Sequence, residues 1–116
     1  MSLYDAARPT LTGFREVGVA EVPVPPPAGL KIIDVREPSE FTGELGHIPG
    51  AALVPLGSFE AAARTWDKSL EYVLVCKSGG RSGQASMVLA RAGFGRVMNL
   101  VGGMLAWNSA GRATEK

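Results

Sequence analysis

Tyr72-Val73-Leu74-Val75-Cys76-Lys77-Ser78-Gly79-Gly80-Arg81-Ser82 is the stretch on which the fold turns. Its first four residues form a short apolar run of the kind found in strands buried on both faces. Two glycines then permit a tight loop. Beyond it Ala85, Val88, Leu89 and Ala92 recur at helical spacing, which predicts a helix over 82–92 closed by Gly93 as its C′ residue. The only cysteine of the chain, Cys76, sits at the strand–loop junction. A free cysteine is commonly no more than a small buried hydrophobe. Here the loop offers inward N–H groups from Lys77 to Arg81, two cations and the positive end of a helix dipole, all of which favour thiolate over thiol. Cys76 is therefore the candidate nucleophile, with Lys77, Ser78, Gly79, Gly80, Arg81 and Ser82 as a candidate anion cradle. The planar fork of Arg81 suits bidentate contact with an oxyanion. Lys77 is equally readable as a solvent-facing residue, and the Ser78 and Ser82 hydroxyls as anion donors or helix caps.

Outward from this stretch the same alternation repeats. Leu30–Val35, 51–54 and 97–101 are short apolar runs with strand character. Pro38-Ser39-Glu40-Phe41 suggests a brief helical turn, and Ser58 is placed to cap a helix running to about Thr65. Gly46-His47-Ile48-Pro49-Gly50 reads as a loop. Gly102-Gly103 turns into a terminal helix that holds Met104, Leu105 and Trp107, with a frayed tail from Gly111. Strands alternating with helices imply an α/β fold, a small parallel sheet of four to five short strands flanked by helices. Sites in such sheets form beyond the carboxyl ends of the strands, where both Asp34 and Cys76 fall. Asp34 and Arg36, oppositely charged and two apart at the end of a buried strand, read as support for the neighbouring loop.

The chain divides into an N-terminal extension over 1–29, a domain over 30–111 and a tail over 112–116. In the extension, 14–22 alternates loosely enough for an edge strand. Val22-Pro23-Val24-Pro25-Pro26-Pro27 has too few backbone donors for a helix or central strand and reads as a stiff connector. Composition excludes several function classes. A net charge of +1 and the absence of any Lys/Arg run argue against nucleic acid. No apolar run reaches the roughly 18 residues of a membrane span. Met1–Asp5 lacks the basic and apolar regions of a secretory signal. One cysteine and one histidine leave no zinc set and no internal disulfide, which fits a reducing, cytoplasmic setting. His47 invites a Cys/His pair, but nothing in the sequence supplies the third orienting group, and a structural hydrogen bond is the simpler reading.

Ile33-Asp34-Val35-Arg36-Glu37, Glu40-Phe41, Gly46-His47-Ile48-Pro49-Gly50-Ala51, Cys76-Lys77-Ser78-Gly79-Gly80-Arg81-Ser82 and Leu100-Val101-Gly102-Gly103-Met104-Leu105-Ala106-Trp107 together resemble the single-domain rhodaneses, a family of sulfurtransferases. The resemblance spans 30–111. It implies an active-site loop from Cys76 to Arg81, a Cys76 persulfide, and Asp34 and Arg36 as a pair buttressing the site. It implies a structural role for the His47 loop and no metal or organic cofactor. The partners it implies are a small anionic sulfur donor such as thiosulfate and a thiol or cyanide acceptor, or a protein persulfide. The proline-rich stretch departs from the family pattern, which places a strand and a helix before the Asp-Val-Arg strand. Loss of that helix would expose apolar surface and favour self-association, which leaves a monomer or a weak homodimer as the expected state.

Two rivals differ in class. Tyrosine phosphatases also join a cysteine, a backbone cradle and an arginine, but with one more residue between Cys and Arg than the four found here. A smaller ring suits a sulfur atom better than a phosphoryl group. Arsenate reduction is a related possibility. A persulfide carrier or regulatory binding module would keep the same scaffold, and a carrier would need the same cradle.

Overall fold

The computed structural model describes residues 2–116; Met1, where the stretch read as lacking a secretory signal begins, lies outside them. A six-stranded sheet in the order β1-β2-β6-β5-β3-β4 forms the centre. Its strands are β1 (Arg8–Pro9), β2 (Arg15–Val17), β3 (Leu30–Asp34), β4 (Ala52–Leu53), β5 (Glu71–Val75) and β6 (Val97–Leu100). All neighbours pair in parallel except β1 with β2. The count exceeds the four to five expected because residues 8–17 supply two strands. Among the described residues five helices complete the fold: α1 (Leu3–Ala6), α2 (Pro38–Phe41), α3 (Leu56–Ala63), α4 (Gly80–Arg91) and α5 (Gly103–Ser109).

Alternation along each strand divides the core in two. Ile32, Val73, Val75, Met98 and Leu100 face Met104 and Trp107 of α5. Ile33, Tyr72, Leu74, Cys76 and Val97 face Phe59 of α3 with Ala85 and Leu89 of α4. Period two therefore places Cys76 on the α4 side. It places Asn99, between Met98 and Leu100, on that side too.

Local readings needed correction in four places. The helix read from Ser58 begins at Leu56 after Pro55, and the Ser58 hydroxyl donates to the Pro55 carbonyl instead of capping. Proline fixes the entry angle of that helix without a side-chain cap. The buried stripe of α4 is Ser82, Ala85, Ser86 and Leu89, while Ala92 is exposed. Two serines are thus turned inward.

The tail is tied down. His47 and Glu115 exchange backbone hydrogen bonds, the Trp107 indole donates to the Ala113 carbonyl, and Arg112 donates to the Val19 and Val22 carbonyls. These bonds satisfy the carbonyls of a segment that has no sheet partner of its own. Finally, residues 18–29 carry no helix, as the prolines require, yet they expose no large apolar patch. Val22 is buried there, and Val19 and Val24 pack on the same core.

Candidate active site

The loop after β5 is shaped by two close approaches. Gly79, the N-cap of α4, has φ of +111°, a conformation open to glycine and strained for other residues. Gly103, at the start of α5, lies against the backbone of Cys76 and Lys77 so closely that a Cβ would overlap both. That contact lets α5 brace the loop. The Met104 N–H donates to the Cys76 carbonyl at 2.9 Å and the Leu105 N–H to the Lys77 carbonyl at 3.0 Å. The Gly-Gly of the terminal motif therefore has a physical purpose at the site.

Cys76 is 1% exposed, at the floor of the cradle. Its Sγ accepts the Gly79 N–H at 3.0 Å and lies 3.2 Å from the Ser82 Oγ. Burial pushes the thiol up. The Ser82 hydroxyl and the N–H groups of Ser82, Gly79 and Ser78 pull it down further, leaving its pKa below the ordinary thiol value. Of the candidate cradle, Lys77 to Ser82, the groups that reach the sulfur are the amides of Ser78 and Gly79 and the amide and hydroxyl of Ser82. Lys77 and Gly80 are exposed.

Ser82 has a second partner that sequence reading missed. Its Oγ lies 2.6 Å from Asn99 Oδ1, and Asn99 Nδ2 donates to the Gly79 carbonyl at 3.1 Å. A closed ring results: sulfur, Ser82, Asn99, Gly79 and back to sulfur. One hydroxyl proton serves two acceptors. That proton can be given to Sγ or to Oδ1, but not to both in full. The signal was a lone polar residue in the apolar run Val97-Met98-Asn99-Leu100-Val101.

Arg81 requires a correction. Both of its Nη groups are turned to a carboxylate of α2 and not left to the loop. Nη1 and Nη2 lie 2.7 and 2.9 Å from the two carboxylate oxygens of Glu40. The Arg81 hydrogen bonds hold the Glu40 carboxyl down at about 2, against the cost of its partial burial. The pair joins α2 to the loop across 41 positions, a contact no local pattern announces.

Asp34 and Arg36 form a buried ion pair. Arg36 Nη2 is 2.8 Å from Asp34 Oδ2 and 2.7 Å from the Gly46 carbonyl oxygen. The Arg36 amide adds a bond to Asp34 Oδ1 at 3.0 Å. The pair links the end of β3 to the Gly46 loop, and Arg36 also borders a cleft of about 220 Å³ beside Lys77, Glu40 and Glu44. His47 is turned away from chemistry. Its Nδ1–H meets the Phe41 carbonyl at 2.8 Å, its ring stacks on Phe41 at 3.6 Å, and Nε2 faces Glu115.

A mostly parallel sheet carrying a cysteine in an amide cradle at a strand end defines an α/β protein of the rhodanese type. The Rhodanese-like domain family matches residues 25–110, and the chain belongs to that family. The sulfurtransferase of Allochromatium vinosum is 38% identical over 76 residues, 66% of this chain and 69% of that protein. A Bacillus subtilis protein named "Putative sulfur carrier protein YrkF" is 41% identical over 78 residues, 67% of this chain. The chain spans 41% of the length of that relative and 46% of another from Synechocystis. Among solved structures, a rhodanese-like domain protein from Staphylococcus aureus shares 28% identity at a TM-score of 0.71, covering 87% of this chain and 98% of its own. No helix among the described residues is long and apolar enough to cross a membrane.

Proposed function

We propose that the protein is a sulfurtransferase that carries a sulfane sulfur as a persulfide on Cys76. The observation that supports this best is the sulfur itself. It is held by the Gly79 amide and the Ser82 hydroxyl at the carboxyl end of β5, with its pKa lowered. In the first half-reaction the Cys76 thiolate attacks the outer sulfur of a donor. With thiosulfate, the S–S bond of the donor breaks, a Cys76 S–S bond forms, and the electron pair leaves on sulfite. The cradle is left holding an anionic persulfide, for which its donors are already aimed. In the second half-reaction a thiol or cyanide attacks the outer sulfur and the electron pair returns to Cys76. Ser82 follows the charge by rotating its one proton between sulfur and Asn99. A reducing, cytoplasmic setting suits such a thiolate.

The phosphatase and arsenate alternatives lose ground on Arg81. An enzyme of that kind needs its guanidinium charge on the tetrahedral anion, and here Glu40 pairs with both Nη groups and offsets that charge. The carrier reading draws support from the name of the Bacillus subtilis relative and uses the same cradle. Initial rates with varied donor and acceptor test the proposal: parallel double-reciprocal lines are expected, abolished in Cys76→Ser. Intersecting lines would contradict a free persulfide intermediate. Cys76-dependent hydrolysis of a generic phosphate ester would reverse the choice between sulfur and phosphoryl transfer.

A further inference from the structure

We infer that Glu40 is a specificity-determining residue: by masking Arg81 it makes the mouth of the site electrically neutral, so that an organic persulfide is preferred as donor to a small inorganic dianion. The inference rests on the reading of Cys76 as the sulfur acceptor, and one arm of its test does not.

The charges around the mouth cancel in pairs. Arg36 is buried against Asp34. Arg81 is clamped by Glu40, and Glu40 is itself held in place by the Glu37 N–H at 3.1 Å. Lys77 and Glu44 remain, both exposed and both lining one cleft. The Glu40 carboxylate engages both Nη groups of Arg81 and offsets the charge that would collect a dianion. Exposed apolar side chains stand behind the loop. Val101 and Leu105 are 44% and 45% exposed, two of the three large apolar side chains so presented among the described residues. Both sit where the β6–α5 turn backs the loop, with the Leu105 amide bonded to the Lys77 carbonyl. A neutral mouth with exposed apolar side chains next to the loop offers more to a carbon-bearing donor than to thiosulfate.

The transfer balances without a co-reactant. From a donor R–S–SH the Cys76 thiolate takes the outer sulfur. The donor S–S bond breaks as the Cys76 S–S bond forms, and the electron pair leaves on R–S⁻. The proton initially stays on the transferred sulfur and then passes to the departing thiolate.

Glu40→Gln tests this, since it keeps the size and a hydrogen bond to Arg81 while removing the charge. Cys76 is alkylated with iodoacetate and with iodoacetamide, and the ratio of the two rates is taken. The ratio reports the field at the sulfur, is independent of the thiolate fraction and requires no sulfur transfer. It should rise by about threefold or more in Glu40→Gln at low salt, because one unmasked charge acts over the mouth. The rate of persulfide formation with thiosulfate should rise by a similar factor relative to that with glutathione persulfide. Glu40→Asp keeps the charge and should hold the ratio near wild type. An unchanged ratio in Glu40→Gln, or an equal change in Glu40→Asp, overturns the inference. So does a raised ratio with no shift in donor preference. If Glu40→Gln does not fold, the wild-type protein decides: a neutral mouth predicts a ratio nearly flat in salt, and a steep fall with salt would mean an exposed cation. Persulfide from neither donor, with the alkylation ratio raised, would refute sulfur transfer while leaving the masking by Glu40 in place.

Discussion

Replacing Ser82 with Ala removes one donor from Cys76 and leaves the amides in position. A hydrogen bond to a charged acceptor contributes about 1.5–3 kcal/mol, and a sulfur 3.2 Å from the hydroxyl belongs at the low end. About 1.4 kcal/mol corresponds to one pKa unit, so the thiol pKa of Ser82→Ala should rise by about one. Alkylation well below the pKa will understate this. A more basic thiolate is intrinsically more reactive by roughly threefold per unit, so the tenfold loss of thiolate shows as about a threefold loss of rate. The inflection of the rate–pH curve, or thiolate absorbance on titration, is the proper readout. Asn99→Ala should act in the opposite direction. It removes the acceptor 2.6 Å from Oγ and leaves the Ser82 proton to the sulfur alone. A lowered or unchanged inflection in Ser82→Ala, or the same upward shift in both variants, would refute the ring of hydrogen bonds proposed for the sulfur.

Three further outcomes follow from the supports of the site. Asp34→Ala strands Arg36 in the core and should cost about 3–5 kcal/mol in urea unfolding; a loss under about 1 kcal/mol would mean that water reaches the guanidinium. Gly103→Ala forces a Cβ onto the Cys76 and Lys77 backbone at a positive φ. It should cost about 2–3 kcal/mol in urea unfolding and lower the reactivity of Cys76 even where the protein stays folded. For Glu40, a folded pKa of about 2 against an ordinary 4.5 means stability fully present above pH 4.5 and lost as pH falls toward 2. Because both partners are partly exposed, the advantage over Glu40→Gln should be about 1 kcal/mol at pH 7 and vanish near pH 2 in parallel denaturation series.

The strand-loop-helix around Cys76 was legible because its signals are local: a short apolar run, two glycines, then a helical period. Asp34 and Arg36 were legible for the same reason, being two residues apart at a strand end. Arg81 was misplaced because its partner comes from another element, and a charge pattern cannot say which of several acids will arrive. Asn99 could have been found, since a single amide among apolar strand residues must be satisfied once buried. Its partner Ser82 depended on the parallel register of β5 with β6. The helix start at Leu56 and the anchored tail were lost for related reasons. Proline set the first, and backbone bonds to His47, Val19 and Val22 set the second, with no side-chain period to announce either.

The central claim is that Cys76 receives sulfur, and intact mass measurement after treatment with a persulfide donor addresses it most directly. The wild-type protein should gain the mass of one sulfur, lose it to cyanide or a thiol, and show no gain as Cys76→Ser. A wild-type protein whose thiol alkylates readily yet takes up no sulfur from thiosulfate or glutathione persulfide would contradict the account.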